Sequence, residues 1–184
     1  HRKHQQEFRE EIRELFHYRL HSLLIAGLIL FPAFSILDYI AAHGYFLRFL
    51  VYRIGCSLLL LLLLVFSRSR LGRVHPFLLA VVGFFLAGGC LSLMIVQMGG
   101  YHSLYYVGML LVLVGCSSLL PFTVEQTVIT GSLLYAIYAI PIFLFNEPDA
   151  GKLNVFFSNS FFFFSFIAIA VLQNGIRLAD QPAE

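Results

Sequence analysis

Of the 184 residues, 59% are hydrophobic and only 12% are charged, with a net charge of +2 and a mean hydropathy of +0.84. That balance exceeds what a water-soluble domain needs to fill one core, and a nearly neutral chain carries no basic footprint for nucleic acid. Each bilayer crossing takes roughly 20 apolar residues, so six crossings would use about 120 and leave short loops with no room for a soluble catalytic domain. The expected fold class is all-α: an integral membrane six-helix bundle with the lipid bilayer as its solvent.

Residues 1–18 are expected to form a cytoplasmic juxtamembrane amphipathic helix. Across 7–18, Phe8, Ile12 and Leu15 recur at three- and four-residue spacing, with Glu7, Arg9, Glu10, Glu11, Arg13 and Glu14 on the other faces. The seam is too narrow for a globular core and suits a partner helix, which implies a homodimer. A charged segment ahead of the first apolar run is not a signal-peptide pattern. With the opening on His1, it leads to the expectation that the chain is part of a longer protein.

Residues 19–176 are expected to hold the six transmembrane helices, at 20–40, 46–66, 75–98, 104–122, 126–145 and 153–175, each bounded by Gly, Pro, Asn or charge. Residues 177–184 then begin a cytoplasmic output helix or tail. Arg2, Lys3, Arg9, Arg13 and Arg19 precede span one, Arg68, Arg70 and Arg73 separate spans two and three, and Arg177 follows span six. By the positive-inside rule those ends, and both termini, face the cytoplasm.

Within the spans, Ala80, Gly83, Ala87, Gly88 and Gly89 form a run of small residues that lets helices approach closely. Phe161 to Phe164 are bulky on all sides, so some of these rings must face lipid or a second subunit. Cys56, Cys90 and Cys116 lie in apolar stretches without CxxC spacing and read as small hydrophobes.

Three polar groupings carry candidate chemistry. Asp38, near the end of span one, and Arg53, two turns into span two, are costly alone in lipid, and an antiparallel hairpin brings them together. The pair reads either as a structural pin or as a ligand-facing switch. His17, His21 and His75 lie near one membrane face, and His43 and His102 in the loops at the other. Histidines at these depths can be interfacial polar tips, or they can supply bis-histidine ligation to haem b. Finally, the turn Gly99-Gly100-Tyr101-His102-Ser103-Leu104-Tyr105-Tyr106-Val107-Gly108 is the densest polar cluster. It reads as an aromatic belt around a hairpin, or as the mouth of a pocket for a small amphipathic ligand lined by Gln97, Tyr101, Ser103, Tyr105 and Tyr106.

Several of these residues resemble a known family. Phe31-Pro32, Leu37-Asp38, Phe46-Leu47 with Arg53, the turn at 99–108, Leu120-Pro121-Phe122, Tyr138 with Pro141, and Asn159 followed by Phe161-Phe162 are similar to the six-helix N-terminal membrane sensor region of bacterial receptor histidine kinases, diguanylate cyclases and class III adenylate cyclases. The resemblance implies a sensory module of the bacterial inner membrane, not itself an enzyme, whose last helix continues into a cytoplasmic output domain. A small transporter competes as a class, but the spans carry no paired broken helices in corresponding halves and no central acidic relay. No HExxH, Ser/His or paired-aspartate arrangement within the spans supports an intramembrane enzyme.

The charge distribution makes a direct prediction. Topology reporters fused at residues 72 and 149 should report opposite sides of the membrane; equal signals would refute the six-span arrangement.

Overall fold

A proline-broken hairpin, α1 and α2 against α3, opens the fold. The computed structural model describes residues 2–179, with side chains described for residues 13–177 apart from residue 71. The side chains of Phe8 and Ile12 of the expected seam, and the whole tail from 180 to 184, lie outside the described residues. Every regular element among the described residues is helical: α1 Arg2–Ala33, α2 Ser35–Ala41, α3 Phe46–Ser67, α4 Arg70–Val74, α5 Pro76–Gln97, α6 Tyr106–Leu119, α7 Val124–Phe145 and α8 Ala150–Ala179. Single 3-10 turns at His43–Tyr45 and Gly100–His102 precede α3 and α6.

Five stretches have the length and apolarity to cross a bilayer: Arg13–Ala41, His43–Ser67, Pro76–Gln97, Val124–Phe145 and Ala150–Arg177. The remaining expected span, the fourth at 104–122, is a helix of only 14 residues, α6. Its start is delayed by the turn at Ser103–Tyr105. Its end is set by Pro121, which pushes Leu120 into an extended conformation at φ −91° and ψ 139°. A second departure lies in span one, which is two helices and not one. Pro32 lacks an amide hydrogen and its ring crowds the carbonyl four residues back, so α1 stops at Ala33 and the helix restarts at Ser35.

The chain divides into two compact units, His1–Leu86 and Ala87–Glu184, with the boundary inside α5. In the first, α1 packs along α3. The small side of α5 lets it approach both helices: a β-carbon on Gly83 would sit 3.4 Å from Leu63 and 3.7 Å from Leu24. In the second unit α6, α7 and α8 pack on one another. The remainder of α5 lies against α7, where the Ser92 hydroxyl donates to the Ile137 carbonyl at 2.8 Å. Of the four consecutive phenylalanines, Phe163 is fully buried and Phe161, Phe162 and Phe164 are exposed, as a helix placing one face inward requires. Cys56, Cys90 and Cys116 are buried thiols that form no disulfide.

α7 opens with a capping box. The Gln126 amide donates to Thr123 Oγ1 at 3.2 Å, and the Thr123 amide donates to Gln126 Oε1 at 3.1 Å.

The turn before α6 uses two left-handed glycines, Gly99 at φ +87° and Gly100 at φ +58°. They differ in surroundings. A β-carbon on Gly99 would meet nothing within 4 Å, whereas one on Gly100 would lie 2.6 Å from the Asn146 side chain. Gly99→Ala should therefore cost about 1 kcal/mol through backbone strain alone. Gly100→Ala should cost roughly 1–3 kcal/mol more, because Asn146 must also move. Thermal unfolding of the two variants in the same detergent checks this, and equal midpoints would show that the approach of Asn146 does not matter.

Candidate functional site

An ion pair joins α2 to α3 shortly after the interruption at Pro32. Asp38 on α2 faces α3, where Arg53 grips it side-on. Arg53 Nε donates to Asp38 Oδ2 at 2.5 Å and Nη2 donates to Oδ1 at 2.9 Å. Two parallel bonds to one carboxylate are the strongest form of this pairing, because the planar guanidinium matches the carboxylate edge. The third nitrogen, Nη1, lies 3.4 Å from the Phe31 carbonyl, beside the break, and the guanidinium carbon sits 5.8 Å from the centre of the Phe34 ring. Asp38 is 0% exposed and Arg53 3%. The sequence-predicted pair is thus brought together and is buried.

Sequence reasoning missed its polar neighbours. Ser35 precedes Asp38 by three residues and Ser57 follows Arg53 by four, so each hydroxyl lies one turn from a charge on the same helix. Both Oγ atoms are buried and have no hydrogen-bond partner in the protein. The signal was available in the sequence as a serine at helical spacing from each ion. Beyond the pair, the turn from His43 to Arg48 forms a concavity of about 440 Å³. Its far edge, Arg48, stands five residues before Arg53 on α3. The pair is neutral overall, and its weakest bond is the long one from Nη1.

The histidines take other roles. His17 Nε2 donates to the Ser67 carbonyl at 2.8 Å, and His21 places Nδ1 at 3.3 Å from the His17 carbonyl and Nε2 at 3.3 Å from Ser67 Oγ. Ser67 Oγ in turn donates to Leu64 O at 2.7 Å. Both rings therefore satisfy the last carbonyls and hydroxyl of α3, whose end would otherwise leave acceptors unpaired. A haem iron needs imidazole nitrogens free to face it, and in this adjacent pair both Nε2 atoms are engaged by Ser67 at the end of α3 and His21 Nδ1 by the His17 carbonyl on α1. His43, whose Nδ1 lies 3.3 Å from the Tyr39 carbonyl, is exposed, as are His75 and His102.

In the second unit the tyrosine-rich turn divides by burial. Tyr101 is 0% exposed, edge-on to Phe143 and Phe156 at 5.9 and 6.0 Å, with its hydroxyl 3.5 Å from the Asn146 carbonyl. Ser103 is buried and its Oγ accepts from the Tyr105 amide at 3.3 Å. These two residues anchor the turn. Tyr105, Tyr106 and Gln97 are half-buried. Tyr138 stacks between Phe156 and Phe163 at 5.8 and 5.9 Å and receives a bond from Asn159 Nδ2 at 3.4 Å, while Tyr135 donates to Ser160 Oγ at 3.0 Å. Of the residues predicted for a pocket, the structure joins Asp38 to Arg53 and makes Tyr101 part of a core.

Comparison with protein-family models, curated proteins and solved structures finds no match to this chain.

The buried pair makes an energetic prediction. Arg53→Leu leaves the Asp38 carboxylate buried without its cation and should destabilise by about 3–5 kcal/mol, while Asp38→Leu combined with Arg53→Leu should cost less than either single change. Unfolding in detergent measures all three. A neutral Arg53→Leu would mean that the arginine's interaction with Asp38 does not hold the hairpin together.

Proposed function

We propose that this chain is the membrane-spanning sensory module of a bacterial signalling protein. It crosses the inner membrane six times with both termini cytoplasmic, works as a homodimer, and passes a helix displacement to an output domain beyond its last helix. The observation that carries this reading is the buried Asp38–Arg53 pair, flanked by the unpartnered hydroxyls of Ser35 and Ser57 at a helix break. Polar groups are expensive in an apolar hairpin, and ionisable residues in such segments mark ligand or ion pathways more often than idle structure. Buried polar groups gathered on one hairpin suit the head of a small amphipathic molecule. Its head competes for Arg53 Nη1 and the serines, and its tail stays in the lipid.

Helix lengths support the relay. α1 has 32 residues and α8 has 30, against roughly 20 needed for one crossing, so each continues rigidly past the hydrocarbon. A ligand moves such helices only by binding two arrangements unequally. Here the unequal element is the Arg53 network, which a bound head would rearrange.

Joining the module to a reporter kinase or cyclase tests the reading, with a lipid-soluble extract of spent culture medium as the stimulus. Arg53→Lys keeps the charge but loses the fork, and it should reduce the response at least tenfold at matched expression, with smaller losses for Ser35→Ala and Ser57→Ala. The exposed Leu104→Ala should respond normally. Parallel Gln97→Ala and Tyr105→Ala variants show whether the second polar cluster takes part. Wild-type responses from all the first-unit variants would remove Arg53 as the sensing centre.

A further inference from the structure

At the C-terminal end of α8 two interactions hold the helix in opposite senses. Arg177 reaches back to the end of α6, where Nη2 donates to the Ser118 carbonyl at 3.1 Å and Nη1 to the Leu120 carbonyl at 3.3 Å. One turn earlier, Asn174 Nδ2 donates to Thr127 Oγ1 on α7 at 2.9 Å, and Thr127 Oγ1 donates onward to the Thr123 carbonyl at 2.9 Å. Asn174 is 0% exposed, yet its Oδ1 has no partner, and Thr130, 4% exposed, likewise leaves Oγ1 unpartnered. Thr130 follows Thr127 by three residues on the same face of α7. The unused groups match chemically, since the hydroxyl can donate and the amide oxygen can accept.

We propose that α8 is a two-position helix. In the position shown, the Arg177 anchor holds it and leaves Asn174 half-paired. In the second, α8 moves toward its own N terminus until Asn174 engages Thr127 and Thr130 together. The antiparallel course of α7 and α8 fixes the direction, because Thr130 lies farther along α7, away from the Arg177 anchor. Thr127 and Thr130 are about 4.5 Å apart along the axis, so a displacement of roughly 2 Å brings the amide between them. The same movement draws Arg177 away from Ser118 and Leu120, so the two attachments compete. In lipid each unmet polar group keeps its full cost, and that makes the competition effective. Farther along the pair the Asn159–Tyr138 bond is long, at 3.4 Å, and the Tyr135–Ser160 bond at 3.0 Å joins two rotatable hydroxyls, which must re-form their contact in the second position. The device stands whether or not a ligand binds at Arg53, and its test reads helix position without any stimulus.

Spin labels at Leu144→Cys, on α7, and Gln173→Cys, on α8, measure the displacement along the helix axes in nanodiscs; both sites are exposed and the three native cysteines are buried. Arg177→Gln should shorten the Leu144–Gln173 distance by about 2 Å. Adding Thr130→Val should restore the original distance, and adding Thr130→Ser should not. An unchanged distance in Arg177→Gln overturns the proposal, as does shortening that persists with Thr130→Val. If Thr130→Val lowers only the unfolding midpoint of the Arg177→Gln protein and leaves its distance as it was, a fixed water satisfies Thr130 and Asn174 in place. There is then no second position.

Discussion

A guanidinium in hydrocarbon must keep its partners at all times, and Arg53 shows how far the surrounding chain is arranged to supply them. Asp38 meets it from α2, which begins at Ser35 just after Pro32 interrupts the ladder of α1. The same break sets the Phe31 carbonyl beside Nη1 and brings the Phe34 ring near the cation. The α1–α2–α3 hairpin is therefore specified less by its leucines, which would slide along one another at little cost, than by the Asp38–Arg53 fork at one end and the bonds of His17 and His21 to Ser67 at the other. Where one helix face is as apolar as the next, polar groups set the register.

The second unit meets the same constraint with neutral groups. Tyr135 with Ser160, Tyr138 with Asn159, and Asn174 with Thr127 join α7 to α8 through single bonds at 2.9 to 3.4 Å. Interhelical bonds of this kind contribute about 0.6 kcal/mol on average in a bilayer, far less than a desolvated ion pair costs to break. The aromatic column of Phe156, Tyr138 and Phe163 adds area and few directional demands. The first unit thus adds a buried ion pair to its neutral bonds, while between α7 and α8 the second relies on amides and hydroxyls.

What the sequence discloses depends on how few alternatives a residue has. Asp38 and Arg53 are readable as a pair because two ions in apolar spans have almost no other way to be satisfied. The five long apolar helices are readable for the same reason, since length and hydropathy permit little else. The break at Pro32 and the early end of α6 before Pro121 carry plain signals, but an apolar window averages across both prolines and draws one continuous span. The histidines are harder. A ring at the membrane face can bind iron, meet lipid headgroups or close a helix end, and only the position of Ser67 decides for His17 and His21. Tyr101 and Tyr105 are indistinguishable by type and setting, yet one is core and the other half-buried, because the left-handed glycines turn the first inward. Ser35 and Ser57 are visible at helical spacing, but their lack of partners is a property of packing.

The brevity of α6 has a consequence for the lipid around it. Fourteen residues rise about 21 Å, against a hydrocarbon layer of roughly 30 Å. If α6 crosses, either the bilayer thins beside it or the extended residues around Pro121 must be shielded by α7 and α8. Each ångström of hydrophobic mismatch costs a fraction of a kcal/mol. The sum is comparable with the few weak bonds that fasten α8 to its neighbours. Acyl-chain length and membrane composition then act on this part of the protein as mechanical variables, through the thickness they impose.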